Sequence, residues 1–312
     1  MTPLRIGSRP SSLALAQAAI VQHQLEALLP GLAVEVVQIS TSGDRMATAS
    51  LAQVGGKGLF IRELEQALSA KTIDLAVHSM KDLPAVLAPA YRIAAVPARG
   101  DPRDALLTRD GMGWDALAPG ARLGTASARR RLEALRLRPN LEILPLRGNV
   151  DTRLRRLAAG DFDAIILAMA GLKRLNRIDG VSAVELDERD FVPSAGQGAL
   201  AIESLAEFGA GGSNGIGQAI AYLNDPCAAA EVAAERAFLA KIGASCVSPV
   251  GVKGTLTGDH LALRALLFSL DGAHSLSGES EQRRAADPAA LGEELGARLL
   301  ARGAGALIQG ST

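Results

Sequence analysis

The chain has 312 residues, room for two or three domains of ordinary size. Apolar residues make up 48 % and charged residues 21 %, which excludes disorder, and 33 basic against 33 acidic residues exclude a general polyanion binder. Two cysteines, Cys227 and Cys246, exclude a disulfide framework, no CxxC pair suggests zinc, and no apolar run approaches the roughly 18–20 residues that span a bilayer.

Leu4–Ile6 opens the chain as a candidate strand. Apolar residues at 14, 18, 21, 25 and 28 then follow a helical period, with Ser11 or Ser12 as cap and Pro30-Gly31 as stop. Leu13–Val21 resembles the core of an export signal, but Gln17 interrupts it and the amphipathic pattern continues to Leu29, so it reads as structure. That reading, with so few cysteines, predicts a cytoplasmic protein with reduced thiols. Val34–Ile39 is a β-branched strand. Gly55-Gly56-Lys57-Gly58 precedes a helix from about Phe60 to Ser69, and strands follow at Ile73–Val77 and Arg92–Val96.

The alternation resumes with strands at Ala105–Thr108 and Arg122–Gly124, a helix from Ser127, a strand at Leu141–Leu146 and a helix from Asp151. Ala164–Ala168 reads as a buried strand. Such alternation predicts α/β architecture with largely parallel sheets. After the glycine-rich stretch 209–217 the pattern changes. A helix at Ala228–Ile242, strands at Val252–Leu256 and Leu261–Phe268, and a last helix at Ala289–Ala301 predict a small α+β domain.

Ligands of open α/β sheets bind beyond the carboxyl ends of the strands. Five strand ends here carry basic residues: Arg9; Lys81, beside Asp82; Arg129 and Arg130, after Ser127; Arg147; and Lys173-Arg174. Only six of the 33 basic residues are lysine, so 27 are arginine, and nine of those crowd into 129–156 against Glu133, Glu142 and Asp151. Genome-wide preference accounts for the total better than for the clustering. Guanidinium forks grip carboxylates in pairs of hydrogen bonds, so the cluster points to a confined site for a multiply charged anion. A lone carboxylate there, Asp82, stays ionised and suits a developing cation or pyrrole-type N–H donors. Lys57 lies in a loop without phosphate-loop spacing, and a glycine-rich lid edged by Phe60 fits it better. The four histidines are scattered, so no metal is expected. Cys246, in a loop after a helix, is a better candidate for covalent chemistry than Cys227 at a helix start.

Several segments in order resemble the porphobilinogen deaminase (hydroxymethylbilane synthase) family. They are Arg5-Ile6-Gly7-Ser8-Arg9, Val54-Gly55-Gly56-Lys57-Gly58-Leu59-Phe60, Ala76-Val77-His78-Ser79-Met80-Lys81-Asp82-Leu83-Pro84 and Asp101-Pro102-Arg103-Asp104-Ala105. Leu146-Arg147-Gly148-Asn149-Val150-Asp151-Thr152-Arg153, Ala170-Gly171-Leu172-Lys173-Arg174, Gly196-Gln197-Gly198-Ala199 and Ala234-Glu235-Arg236-Ala237 continue the match.

The resemblance implies two periplasmic-binding-protein-like, doubly wound α/β domains facing a cleft, and a small α+β domain carrying the cysteine. The implied boundaries are 1–97 plus 198–218, 103–191 and 226–312, with hinges near 98–102 and 192–197. It implies a monomeric cytoplasmic transferase of tetrapyrrole and haem biosynthesis, with no nucleic-acid or membrane partner. Four porphobilinogen units are deaminated and joined head to tail into a growing anionic oligopyrrole, and hydroxymethylbilane is released by hydrolysis. The implied cofactor is dipyrromethane, thioether-linked to Cys246. Asp82 matches the catalytic aspartate. Arg9, Arg129, Arg130, Arg147, Arg153 and Arg174 match cofactor- or substrate-binding arginines, and Ser11, Gln17, Lys81, Ser127 and Gln197 line the same cleft. Ala244-Ser245 before Cys246, and Ala126 before Ser127, depart from the family's usual Gly-Gly and Ser. The first replaces torsional freedom with side chains, and the second removes one hydroxyl. The competing class is a two-lobed receptor for an organic anion, which explains the arginines but neither Asp82 nor the loop cysteine.

Overall fold

A computed structural model describes residues 3–45, 61–177, 182–208, 215–245, 247–283 and 287–309. By contacts the chain divides into two compact units, Met1–Gly100 with Ala199–Ala229, and Asp101–Gly198 with Ala230–Thr312. The chain therefore crosses between units at 100/101, 198/199 and 229/230.

The first pass through unit one gives β1 (Leu4–Ser8), α1 (Ser12–Leu28), β2 (Val34–Gln38), α2 (Ser42–Arg45), α3 (Arg62–Ser69), β3 (Leu75–Ser79) and β4 (Tyr91–Ala95). Unit two opens with β5 (Asp104–Thr108), β6 (Arg122–Gly124), α4 (Ala128–Leu137), β7 (Glu142–Leu144), α5 (Val150–Ala158), β8 (Ala164–Ala168), α6 (Met169–Arg174) and β9 (Ala183–Glu185). The chain returns to unit one as β10 (Leu200–Leu205) and α7 (Ile216–Tyr222). It ends with α8 (Pro226–Ile242), β11 (Val250–Thr257), β12 (His260–Phe268), β13 (Ser275–Arg283), α9 (Pro288–Ala301) and α10 (Ala304–Gln309).

The two five-stranded sheets have matching plans, β2-β1-β3-β10-β4 and β7-β6-β8-β5-β9. β1 pairs in parallel with β2 and β3, and β6 with β7 and β8. β10 and β5 run antiparallel to both of their neighbours. The sheets are thus mixed, where alternation alone predicted largely parallel ones. The reversed strands are those entering a sheet straight from a crossing, with no helical crossover to restore direction.

Apolar side chains cover both faces of each sheet. In unit one α1 and α7 bury Ile6, Leu75, Val77 and Ile202 on one face, and α3 packs Leu64 and Leu68 on Ala76 on the other. In unit two two further clusters centre on Leu123 with Ile166, and on Leu107 with Ile165. The C-terminal meander β11-β12-β13 packs on α8 and α9 through Phe238, Leu263, Leu295 and Leu299. It joins the rest of unit two through Leu132, Val192, Leu266 and Phe268. Two glycines are dictated by close approach. A Cβ on Gly251 would lie 2.3 Å from the Val192 carbonyl oxygen, and one on Gly292 would lie 2.1 Å from that of Ala234.

Candidate functional site

In unit one the residues after β1 and β3 converge. Ser11 caps α1, its Oγ accepting from the Ala14 N–H at 3.3 Å. The buried Gln17 donates through Nε2 to Ser79 Oγ at 2.8 Å. After Ser79 the chain makes one 3₁₀ turn, Met80–Asp82, which leaves Asp82 exposed and Lys81 half-buried. Arg9, Ser11, Gln17, His78, Ser79 and Asp82 line one small pocket, with about 60 Å³ reachable by water. Sequence and structure therefore agree in bringing Arg9, Ser11, Gln17 and Asp82 together.

Arg9 carries a counter-charge that the sequence did not reveal. Its Nε and Nη2 donate to Asp44 Oδ1 at 3.1 and 2.5 Å. Burial works against the Asp44 carboxylate, but Arg9 and the Thr41 hydroxyl outweigh it and hold the carboxyl below its ordinary value.

In unit two the cluster at 129–156 separates into structural and available arginines. Ser127 caps α4, accepting from the Arg130 N–H at 3.4 Å. Arg129 and Arg130 are both buried. Arg129 donates to Asp104 Oδ2 at 2.8 Å, Glu133 Oε2 at 2.7 Å and the Val192 carbonyl at 2.8 Å. Arg130 donates to Asp104 Oδ1 at 2.7 Å, the Ile166 carbonyl at 3.2 Å and Gln197 Oε1 at 3.4 Å. Gln197 closes the network, donating through Nε2 to Asp104 Oδ1 and the Pro102 carbonyl at 2.7 Å each. The two guanidiniums read as ligand groups from sequence are thus held by protein acceptors. Arg136 pairs with Asp190, Arg156 pairs with Asp161 and covers the Phe162 ring, and Arg138 caps the carbonyls of Trp114, Asp115 and Leu117. Lys173 reaches Asp101 at 2.6 Å.

Arg153 and Arg174 behave differently. Arg153 donates to the Gly148 carbonyl at 2.8 Å and Arg174 to that of Gly198 at 2.6 Å, and no carboxylate of the described residues pairs with either. Burial, and then the positive charge of Arg130, pull the Arg153 guanidinium down to about 10, and burial alone does the same to Arg174. Both remain charged at neutral pH, and most of their five N–H donors have no acceptor among the described residues. Arg147 is half-buried at the end of β7.

Sequence reasoning missed Asp44 and Asp104 as members of these networks; Glu133 was visible among the arginines as an opposing acid. Asp104 offered a signal: it stands directly before the apolar run of β5, where a carboxylate is buried only with cationic partners. Lys57, Phe60 and Cys246 lie outside the described residues. Among the described residues no cluster of His, Cys, Asp and Glu could hold a metal, and no helix is long and apolar enough to cross a membrane.

Glu133 yields a pH prediction. Burial, only partly offset by Arg129, raises its carboxyl from 4.5 to about 8. The unfolded chain then loses this proton before the folded one does, so folding stability falls as pH rises from about 5 to 8, by up to about 1.4 kcal/mol per unit. Asp104 is depressed by Arg129 and Arg130 against its own burial, and its contribution disappears only in acid, below that window. Glu133→Gln is therefore expected to flatten the stability profile between pH 5 and 8. Denaturant melts at each pH check this, and an unchanged slope overturns it.

Unit two thus carries two half-buried guanidiniums that no described carboxylate pairs with, and unit one an exposed carboxylate just beyond the end of a strand. A family model described as porphobilinogen deaminase, dipyromethane cofactor binding domain, matches residues 4–208, and one described as its C-terminal domain matches 229–301. A protein of Roseiflexus castenholzii named porphobilinogen deaminase is 46 % identical over 98 % of this chain and 99 % of its own length. A namesake from Syntrophobacter fumaroxidans is 44 % identical over 98 % of this chain and 97 % of its own. Among solved structures, a TRAP periplasmic solute binding protein from Desulfovibrio salexigens aligns at TM-score 0.43 and 11 % identity, over 71 % of this chain and 72 % of that one. The chain belongs to the porphobilinogen deaminase family.

Proposed function

We propose that this chain deaminates porphobilinogen and joins successive units head to tail on a covalently held dipyrromethane, releasing hydroxymethylbilane by hydrolysis. The observation that carries the reading is the pair Arg153 and Arg174, two half-buried guanidiniums with donors left over and no described carboxylate partner. Their chemistry fits the acetate and propionate groups of a dipyrromethane, which they would hold together with Arg147. Once bound, that group supplies the pyrrole carbon from which the chain grows. The remaining work falls to side chains. The Asp82 carboxylate stabilises the cation that develops as ammonia leaves. Arg9, Ser11 and Gln17 orient the substrate at the same pocket, and Lys81, one residue before Asp82, adds a cation to the turn beside it. Arg129, Arg130 and Gln197 shape the second sheet's end from within, through Asp104. Cys246 is the attachment point, with Lys57 and Phe60 in a lid.

The test is intact mass after brief exposure to porphobilinogen. A ladder of covalent adducts is expected, each step one deaminated unit, and its absence from the wild-type protein refutes the reading. In the same experiment Arg153→Leu or Arg174→Leu should lower cofactor loading and stop the ladder early in the fraction that loads, because each removes a cation that receives the carboxylates of the cofactor and of the two-carboxylate units added to it. A full ladder shifted only to higher substrate concentration would contradict that role. We further read the enzyme as a cytoplasmic monomer. The location is supported by a cysteine usage suited to a reducing compartment. Light scattering of the purified protein should give about the 32.2 kDa of one chain.

A further inference from the structure

One buried ionisable pair of unit one takes no part in the chemistry above. Glu203 on β10 is fully buried, and its Oε2 lies 2.9 Å from Nε2 of the buried His78 on β3. Among the described residues its other oxygen, Oε1, has no hydrogen-bond partner. The register sets Ala201 opposite His78 and Glu203 opposite Ala76, so the carboxylate reaches the ring diagonally across the ladder. Glu65 on α3 adds a second carboxyl to the neighbourhood, raised by burial and then by the charge of Glu203. Such an arrangement costs stability relative to two apolar side chains of similar volume.

Its location accounts for the cost. His78 and Ser79 are the last two residues of β3, and Asp82 follows after a single 3₁₀ turn. Ser79 is tied to Gln17 of α1 at 2.8 Å. The Met80 N–H donates to the Ala199 carbonyl at 3.0 Å in the plane of the sheet. The bond from His78 to Glu203 ties the same strand end through the adjacent residue, whose side chain leaves the strand on the opposite face. Three independent bonds therefore fix the three residues that precede Lys81 and Asp82.

We propose that His78 and Glu203 are positioning residues for Asp82: their bond fixes the end of β3 so that the turn presents the Asp82 carboxylate to the pocket in one orientation. The proposal rests on the reading of Asp82 as the catalytic carboxylate.

The test compares holoenzymes carrying Glu203→Gln, Glu203→Asp, and His78→Leu with Glu203→Leu, each checked for cofactor loading by intact mass and for stability by thermal melting. Glu203→Gln retains a hydrogen bond to the ring and should keep kcat within about threefold. Glu203→Asp retracts the carboxylate by one methylene and should lower kcat at least about tenfold, with KM within about threefold and loading unchanged. The double leucine variant should melt at or above the wild-type temperature while kcat stays low. Recovery of kcat together with stability in that variant would show that the pair merely fills the core, and would overturn the proposal. If the double variant does not fold, Glu203→Asp decides alone, and an unchanged kcat overturns the proposal equally. In an Asp82→Asn background the Glu203→Asp loss should vanish, since both act through one group, and additive losses contradict this. Normal turnover of Asp82→Asn by itself would instead remove the catalytic reading on which the proposal rests.

Discussion

Cys246→Ser is expected to yield a protein with the mass of its polypeptide alone, no bound dipyrromethane and no turnover. The thiolate forms a thioether by attacking an electrophilic carbon, whereas a neutral serine hydroxyl is too weak a nucleophile to do so unaided. The protein contains its own control. Cys227, at the start of α8, is exposed, so access alone would allow it to react. Cys227→Ser should nevertheless keep the adduct and full activity, because attachment needs a thiol in a site that also holds the carboxylates of the incoming group. Intact mass of the two variants decides. An adduct that survives on Cys246→Ser, or that disappears from Cys227→Ser, moves the attachment point and refutes the assignment.

Asp82→Asn is the second large effect. The side chain sits exposed on a 3₁₀ turn, so an isosteric amide should leave fold and cofactor loading intact. What it removes is the negative charge. Arg9 of the same pocket already pairs with Asp44 at 2.5 Å, so its charge is not reserved for Asp82. A charge aimed at a developing cation is worth about 3–4 kcal/mol, so kcat should fall about 10²–10³-fold with little change in KM. Steady-state kinetics on mass-verified holoenzyme check it. A variant that loses affinity while keeping kcat would assign Asp82 to binding.

The candidate site was legible where it depends on local order along the chain. Arg9, Ser11 and Asp82 follow strands whose apolar, β-branched runs are plain in the sequence, and the strand-end rule places them without further information. Ser11 is the N-cap of α1 that the sequence offers, and Ser127 and Asn149 cap α4 and α5 at or within two residues of the starts that the helical pattern places. Strands β9, β10 and β13 and the short helices α2, α6, α7 and α10 leave no comparable signal in the sequence. β10 carries Glu203 and Ser204 in the core, which breaks the apolar pattern, and β13 is almost wholly polar, with Gly278 packed under Leu295 and Leu299 of α9.

The sequence by itself determined the α/β alternation, the helix caps, the strand ends that bear charge and the order of the family motifs. Each of these is set by residues within a few positions of one another. Tertiary structure alone decided which charges are spent. Within 129–156 nine arginines face three acids, yet Asp104, Asp161 and Asp190, all outside that stretch, neutralise Arg129, Arg130, Arg136 and Arg156. The same holds for Arg9 with Asp44 and for His78 with Glu203, 125 residues apart. Coulomb energy depends on distance in space and on burial, neither of which follows from separation along the chain, so only the folded protein distinguishes an arginine that holds the scaffold from one that remains to hold an anion.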